Sequence, residues 1–224
     1  MKKIFITIAL ALATTVACNA QYFVGGSLGL FTHSSKTETV GSETIKDPST
    51  FGFSISPKVG YYLNPKVAVG LSASFGYGDS TIYTNTTTPN TTVKTYSWSV
   101  SPFARYTFLQ FGKLSVLAEA TVGINGTSSK TKVTSSVDGP STFGYGVNVA
   151  PILSYDISKN FSLETTLNFL GLGFRYSETK TPGSSLGGYV VSETKDKSTD
   201  FGFGVNSNNL VTVGNITIGA IYKF

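Results

Sequence analysis

The stretch Phe51-Gly52-Phe53-Ser54-Ile55-Ser56-Pro57-Lys58-Val59-Gly60-Tyr61-Tyr62-Leu63 decides the fold. Every odd position is apolar or aromatic, while the positions between are mostly small or polar. A period of two is the signature of a β-strand with one greasy face. The same pattern returns in Trp98 to Phe108 on even positions, and in Phe143 to Tyr155 on odd ones. These three segments form an internal repeat, with Pro57 and Tyr61, Pro102 and Tyr106, and Pro151 and Tyr155 each four apart. A proline inside a strand lacks a ladder donor, so each is expected to mark a bulge or an outward kink.

Outward from these repeats, strands are predicted at 22–32, 51–63, 66–79, 93–108, 114–129, 141–157, 161–177 and 199–224. Asn206 to Asn209 are expected to bend the last one. The connections alternate in kind. Short ones fall at Asn64-Pro65, Gln110 to Gly112, and Ser158 to Asn160. Long ones, rich in Thr, Ser, Lys and Gly, fall near 33–50, 80–92, 130–140 and 178–198. Short turns at one end and long loops at the other are the pattern of outer-membrane barrels. The expectation is an all-β, eight-stranded, antiparallel, up-and-down transmembrane barrel.

A soluble eight-stranded barrel would turn its greasy face inward. Here the greasy faces begin and end with aromatics, as at Phe51 and Tyr61, Trp98 and Tyr106, and Phe143 and Tyr155. Ten residues rising about 3.3 Å each at a tilt of about 40° climb about 25 Å, the height of an apolar membrane band between two aromatic girdles. The opposite faces carry Gly52, Ser54, Ser56 and Gly60, then Gly70, Ser72, Ser74 and Gly76, which suit a narrow lumen. Lipid belongs outside.

The totals agree. Of the 224 residues 40% are hydrophobic and only 13% charged, against about a quarter charged in soluble domains. The N-terminus divides the chain into a secretory signal at 1–20 and a barrel at 21–224. Lys2 and Lys3 supply the positive region, Ile4 to Ala13 a short apolar one, and Cys18-Asn19-Ala20 the site before Gln21. The alternative makes Cys18 an acylated residue, although Thr15 stands where a Leu-like residue is wanted. If Cys18 leaves with the signal, no thiol remains. Without Lys2 and Lys3 the balance is 15 basic to 12 acidic residues, or +3, with no basic patch in sequence. Nucleic acid is therefore not an expected partner.

The last residues, Thr217-Ile218-Gly219-Ala220-Ile221-Tyr222-Lys223-Phe224, fit a polar-x-Gly-x-x-aromatic-x-aromatic pattern. With the signal and the eight strands, the chain resembles the small outer-membrane β-barrel family, which includes the stand-alone outer-membrane β-barrel domain and OmpA-like membrane domains. The resemblance implies localisation in the bacterial outer membrane of a Gram-negative cell. It further implies that Thr217, Gly219, Tyr222 and Phe224 are read by the barrel-assembly machinery. Since no OmpA-type periplasmic domain follows Phe224, anchoring to peptidoglycan is not implied. Outer-membrane lipids and lipopolysaccharide are the other expected partners, with a surface ligand of unknown kind open.

Turning the greasy faces outward sends four charges inward. Lys58, Arg105, Glu119 and Glu164 lie four to six residues from their short turns, hence at similar depth. An unpaired charge in a narrow lumen is costly, so a luminal network is expected to cross-link the strands and help block the interior. Separate solvation by luminal water is the alternative.

Catalysis is not expected. The only His, His33, stands beside Ser34 and Ser35 where strand one meets loop one, and adjacency in sequence does not make a base-activated nucleophile. No metal or cofactor is expected, and Gly-rich runs such as Phe143-Gly144-Tyr145-Gly146 lack the Gly-Lys-Ser/Thr of a phosphate loop. The reading ranks a non-enzymatic structural or surface-interaction barrel with four outer loops first. A narrow pore for water or small ions comes second, and a lipid-modifying enzyme a distant third. Loop two, around Thr84 to Thr92, is neutral and β-prone, so its strands are expected to project and offer an edge for pairing.

Overall fold

The computed structural model describes residues 21–37, 45–82, 90–132, 136–167, 170–183, 185–186, 189–190, 192–205 and 216–224. The signal segment with Cys18, the tip of loop two before Asn90, and Asn206 to Asn209 lie outside them. In chain order the strands are β1 (Tyr22–Thr37), β2 (Ile45–Asn64), β3 (Val67–Ile82), β4 (Thr91–Phe111), β5 (Leu114–Lys132) and β6 (Ser136–Asp156). Then come β7 (Phe161–Leu167), β8 (Leu170–Thr181), the two-residue strands β9 (Ser185–Leu186) and β10 (Tyr189–Val190), β11 (Thr194–Val205) and β12 (Ile216–Lys223).

The chain is an eight-stranded antiparallel barrel. Neighbours run β6, β5, β4, β3, β2, β1, β12, β7, and the β6–β7 pairing returns to the start. The seventh strand of the ring consists of β7 and β8, the eighth of β11 and β12. Val205 opposes Leu170, yet Ile216 opposes Leu167, so the eighth strand carries eight more residues than its neighbour across this break.

Three short turns close one end. Asn64 accepts from the backbone N–H groups of Lys66 and Val67, both at 2.9 Å, and so shapes its own turn. Gly112, at φ +57°, takes the left-handed position between β4 and β5, which costs a residue without Cβ nothing. Ser158 Oγ accepts from the N–H groups of Asn160 and Phe161 at 3.3 and 3.1 Å in the third.

The faces follow the alternation. Leu28 and Leu30 on β1, Phe53 and Ile55 on β2, Val122 and Ile124 on β5, and Ile218 on β12 all stand exposed, Leu30 at 73%. So continuous an apolar belt has no place in water and fits lipid. Tyr22, Tyr61, Tyr106, Tyr155, Tyr222 and Phe224 ring the short-turn end, and Phe51, Tyr77, Tyr96, Trp98, Phe143 and Tyr145 ring the other.

Two expectations need correction. The strands extend further outward than predicted: β4 begins at Thr91, β5 continues to Lys132 and β6 starts at Ser136. Past the girdle there is no core to impose a greasy alternation, and the ladder carries on through Thr and Ser of high β-propensity. The prolines, in turn, are not generally bulge sites. Pro57 opposes Gly26 and Pro102 opposes Leu71, and the register is unchanged on either side of both. The ladder simply skips one neighbour there: β2–β3 passes from Ile55 to Lys58, and β4–β5 from Val100 to Phe103. A missing N–H removes one bond without inserting a residue. Only at Pro151 does the register to the next strand change, between Val149↔Leu172 and Ile152↔Thr166. The irregularities in the adjoining ladders fall at Ser34/Lys36, Tyr62/Asn64, Thr107/Leu109 and Ser128/Lys130 instead.

Candidate functional site: a luminal partition

Lys58 on β2, Arg105 on β4, Glu119 on β5 and Glu164 on β7 converge in the lumen. Lys58 Nζ donates to both Glu119 carboxylate oxygens at 3.1 and 2.8 Å. Arg105 Nε donates to the same carboxylate at 2.5 Å. The guanidinium's two terminal nitrogens make a bidentate pair with Glu164 at 2.8 and 2.9 Å. The chain of charges thus reads Lys58–Glu119–Arg105–Glu164, with alternating sign and no net charge. Arg105 is only 3% exposed and Glu164 7%. Taking such ions out of water is costly, and only paired, hydrogen-bonded geometry offsets it. Arg fits the central place because its planar fork serves two carboxylates at once.

Aromatic rings complete the partition. Phe23, Phe103, Ile221 and Ala68 form a buried apolar cluster, with Tyr62 packed against it. Phe23 and Phe103 lie 6.2 Å apart, and Phe23 and Tyr62 5.1 Å. The Arg105 guanidinium sits 5.3 Å from the Phe23 ring and 5.2 Å from Phe103, with Lys58 Nζ 5.0 Å from Phe103. Cations over ring faces gain a further attraction that deepens in a dehydrated site. The rings have room because their neighbours across the ladder are glycines. A Cβ on Gly60 would stand 2.3 Å from the Phe23 ring, and one on Gly70 2.4 Å from the Phe103 ring, both closer than van der Waals contact allows.

These luminal aromatics escaped the sequence reading, which expected small residues and the four charges there. One signal was present: Phe103 breaks the even-numbered phase of its own strand, between Pro102 and Ala104.

Two spaces flank this cluster. On the short-turn side a cavity of about 320 Å³ is lined by Gln21, Tyr62, Gln110, Ser115, Asp156 and Lys223, among others. On the other side a cavity of about 180 Å³ is lined by Ser27, Ser56, Ser72, Ser74 and Thr217. Glu164 borders both. Further out, the lumen is roomier and lined by Ser99, Ser101, Thr121, Asn125 and Asn148.

A second polar cluster ties the end of β12 to the turn between β6 and β7. Lys223 Nζ donates to Asp156 Oδ1 at 2.7 Å, and Ser162 Oγ donates to the same oxygen at 2.5 Å. Asn160 Nδ2 reaches the Lys223 carbonyl at 2.8 Å, and the Lys223 N–H reaches the Asn160 carbonyl at 2.7 Å. Sequence alone could not pair Asp156 with Lys223, which stand on β6 and β12 with β7 between them. Of the C-terminal residues, Tyr222 and Phe224 face lipid with rings 4.9 Å apart, whereas Gly219 opposes Ser27 on one side and Glu164 on the other. Thr217 borders the smaller cavity. His33 opposes Thr50 in the β1–β2 ladder, well away from the partition. Among the described residues no cluster of potential metal ligands occurs.

The family model of the outer membrane protein beta-barrel domain matches residues 5–224. The chain belongs to that family. It is an outer-membrane β-barrel protein, as the lipid-facing belt already requires. Among solved structures it is similar to the Neisserial surface protein A, at 20% identity over 91% of this chain and 97% of that one, with a TM-score of 0.36. A major outer membrane protein from Thermus thermophilus gives 13% identity over 91% and 98% of the two chains, with a TM-score of 0.47. Ail, the attachment invasion locus protein of Yersinia pestis, gives 14% over 91% and 98%, with a TM-score of 0.39. At such identities and scores these likenesses carry no functional weight. No curated protein matches the chain.

Proposed function

We propose that the protein is a non-enzymatic outer-membrane barrel with a blocked lumen, whose work is done by its outer surface. The observation that carries this reading is the partition: four alternating charges, bidentate at Arg105, backed by the Phe23 and Phe103 rings. A small barrel of eight strands leaves little room that side chains do not fill. The strand extensions beyond the outer girdle, including Thr91–Thr95 and Thr127–Lys132, then present a polar sheet to a surface ligand. Recognition of Thr217, Gly219, Tyr222 and Phe224 by the barrel-assembly machinery is part of the same proposal, supported by the lipid-facing Tyr222 and Phe224.

The test is conductance. The chain is refolded into a planar bilayer, and its folded state is checked by heat-dependent gel mobility. A sealed membrane is the expected result. Discrete, salt-dependent openings would overturn it in favour of a narrow pore. That second reading is favoured by the polar cavities on both sides of Glu164. It makes Lys58, Arg105, Glu119 and Glu164 the residues that control the current.

A further inference from the structure

The outer lumen holds a chamber of about 420 Å³, the size of a small-molecule site. Two ladder rows build its wall across β5, β6, β8 and β11. The lower reads Thr121, Asn148, Gly173, Gly202, and the upper Gly123, Gly146, Arg175, Asp200. The glycines leave bare backbone where side chains would otherwise fill the space. Among the described residues nothing lies within 4 Å of where a Cβ on Gly202 would stand. Four strands about 4.8 Å apart make the wall about 14 Å wide.

Among the described residues that line this chamber, Arg175 and Asp200 are the charged ones. They stand directly opposite each other on β8 and β11, at the cross-strand spacing of about 5 Å between Cβ atoms. Even so, neither forms an ion pair with any described residue, and both are exposed. Arg105 is the contrast: deeper in the lumen it is buried and holds two carboxylates at once. Asn125 and Asn148 border the same chamber, and each carboxamide both donates and accepts.

We infer that this chamber binds a free α-amino acid with a polar side chain. Its carboxylate meets the Arg175 guanidinium, its ammonium the Asp200 carboxylate, and its side chain the Asn125 and Asn148 amides. The neighbouring opposite charges argue for this occupant. A simple anion gains from Arg175 and loses to Asp200, and a simple cation does the reverse. A zwitterion gains from both. Because Arg175 and Asp200 are direct neighbours, the two ligand charges must be carried close together, as they are on one α-carbon. A peptide, with its charged ends further apart, satisfies one of the two. Binding needs only the barrel and this chamber, so it goes beyond the surface role proposed above and is independent of whether ions pass Arg105.

The full chain, folded in a non-ionic detergent, is titrated with L-glutamine in an isothermal calorimeter. Saturable binding is expected. N-acetyl-L-glutamine, which lacks the ammonium, and L-glutaminamide, which lacks the carboxylate, should each bind at least about tenfold more weakly. The variants exchange these losses. D200N no longer distinguishes N-acetyl-L-glutamine from glutamine, and R175Q no longer distinguishes L-glutaminamide from it. A merely structural role would not move such a preference. Gly202→Leu fills the chamber from its open wall and abolishes binding, while heat-dependent gel mobility still reports a folded barrel. No saturable binding of glutamine by the folded, unaltered chain would overturn the inference. So would equal affinity for the two capped analogues, or a folded R175Q/D200N variant that binds glutamine as the unaltered chain does.

Discussion

The two ends of the lumen are built on opposite principles. Near the short turns the ring is closed, β12 joins β1 and β7, and the interior is filled by Phe23, Phe103, Ile221 and the paired charges. Toward the outside the interior is mostly Ser, Thr, Asn and Gly, with Arg175 opposite Asp200, around open space, and the strands are tied by single contacts such as Thr142 to Thr179 at 2.8 Å and Ser177 to Ser198 at 2.8 Å. The difference teaches where stability resides. Inside, each group depends on several others in a dry setting, so single losses are expensive. Outside, each contact competes with water and can be lost alone.

The sharpest way to break that contrast is Arg105→Met. It leaves Glu119 with Lys58 alone and Glu164 with no partner in the network, so about 3–5 kcal/mol of stability should vanish. Urea unfolding in lipid vesicles, scored by gel mobility, measures it. The double variant R105M/E164Q removes the orphaned carboxylate while leaving Lys58 paired with Glu119, and should recover much of the loss. A single variant as stable as the unaltered chain would show that luminal water, not pairing, supports these charges.

Next in size is Gly60→Leu. The new side chain must displace the Phe23 ring, which overpacks the partition and costs about 1–3 kcal/mol. Unfolding midpoints for this variant and for Gly70→Leu should fall together, because Phe23 and Phe103 share one cluster. A drop in one without the other would mean that the two rings act independently.

Lys223→Gln tests the short-turn end at its wetter rim. Its partner Asp156 is 30% exposed and Lys223 27%, so solvent screens the pair and the loss should be about 1 kcal/mol or less. Slower insertion with an unchanged unfolding midpoint would point to assembly rather than stability as the role of this residue.

How much of this could be read from the residues alone follows the same division. The greasy face of Phe51 to Leu63 is imposed by lipid, so its period of two was visible, and with it the fold and both girdles. Parity then sent Lys58, Arg105, Glu119 and Glu164 inward. Their meeting depended on one further fact, equal depth from short turns, that the sequence also carried. Phe23 was illegible because a large ring inside a narrow barrel needs a glycine on the neighbouring strand. Gly60 announces a neighbour's ring only once the register is known. The outer strand ends were illegible for another reason: Thr91–Thr95 and Thr127–Lys132 answer to backbone pairing alone, and backbone pairing leaves no hydropathy pattern.

The smallest effect belongs to the outer lumen. Among the described residues nothing lies within 4 Å of where a Cβ on Gly202 would stand, in contrast to Gly60 and Gly70. Gly202→Ala therefore adds a methyl group to open space and restricts the unfolded chain, so stability should hold or rise by about 0.5–1 kcal/mol. The same urea series that reports Gly60→Leu reads it. A clear loss at Gly202 would mean that the outer lumen is packed as tightly as the partition, and the contrast between the two ends would then fail at the position where it asks least of the molecule.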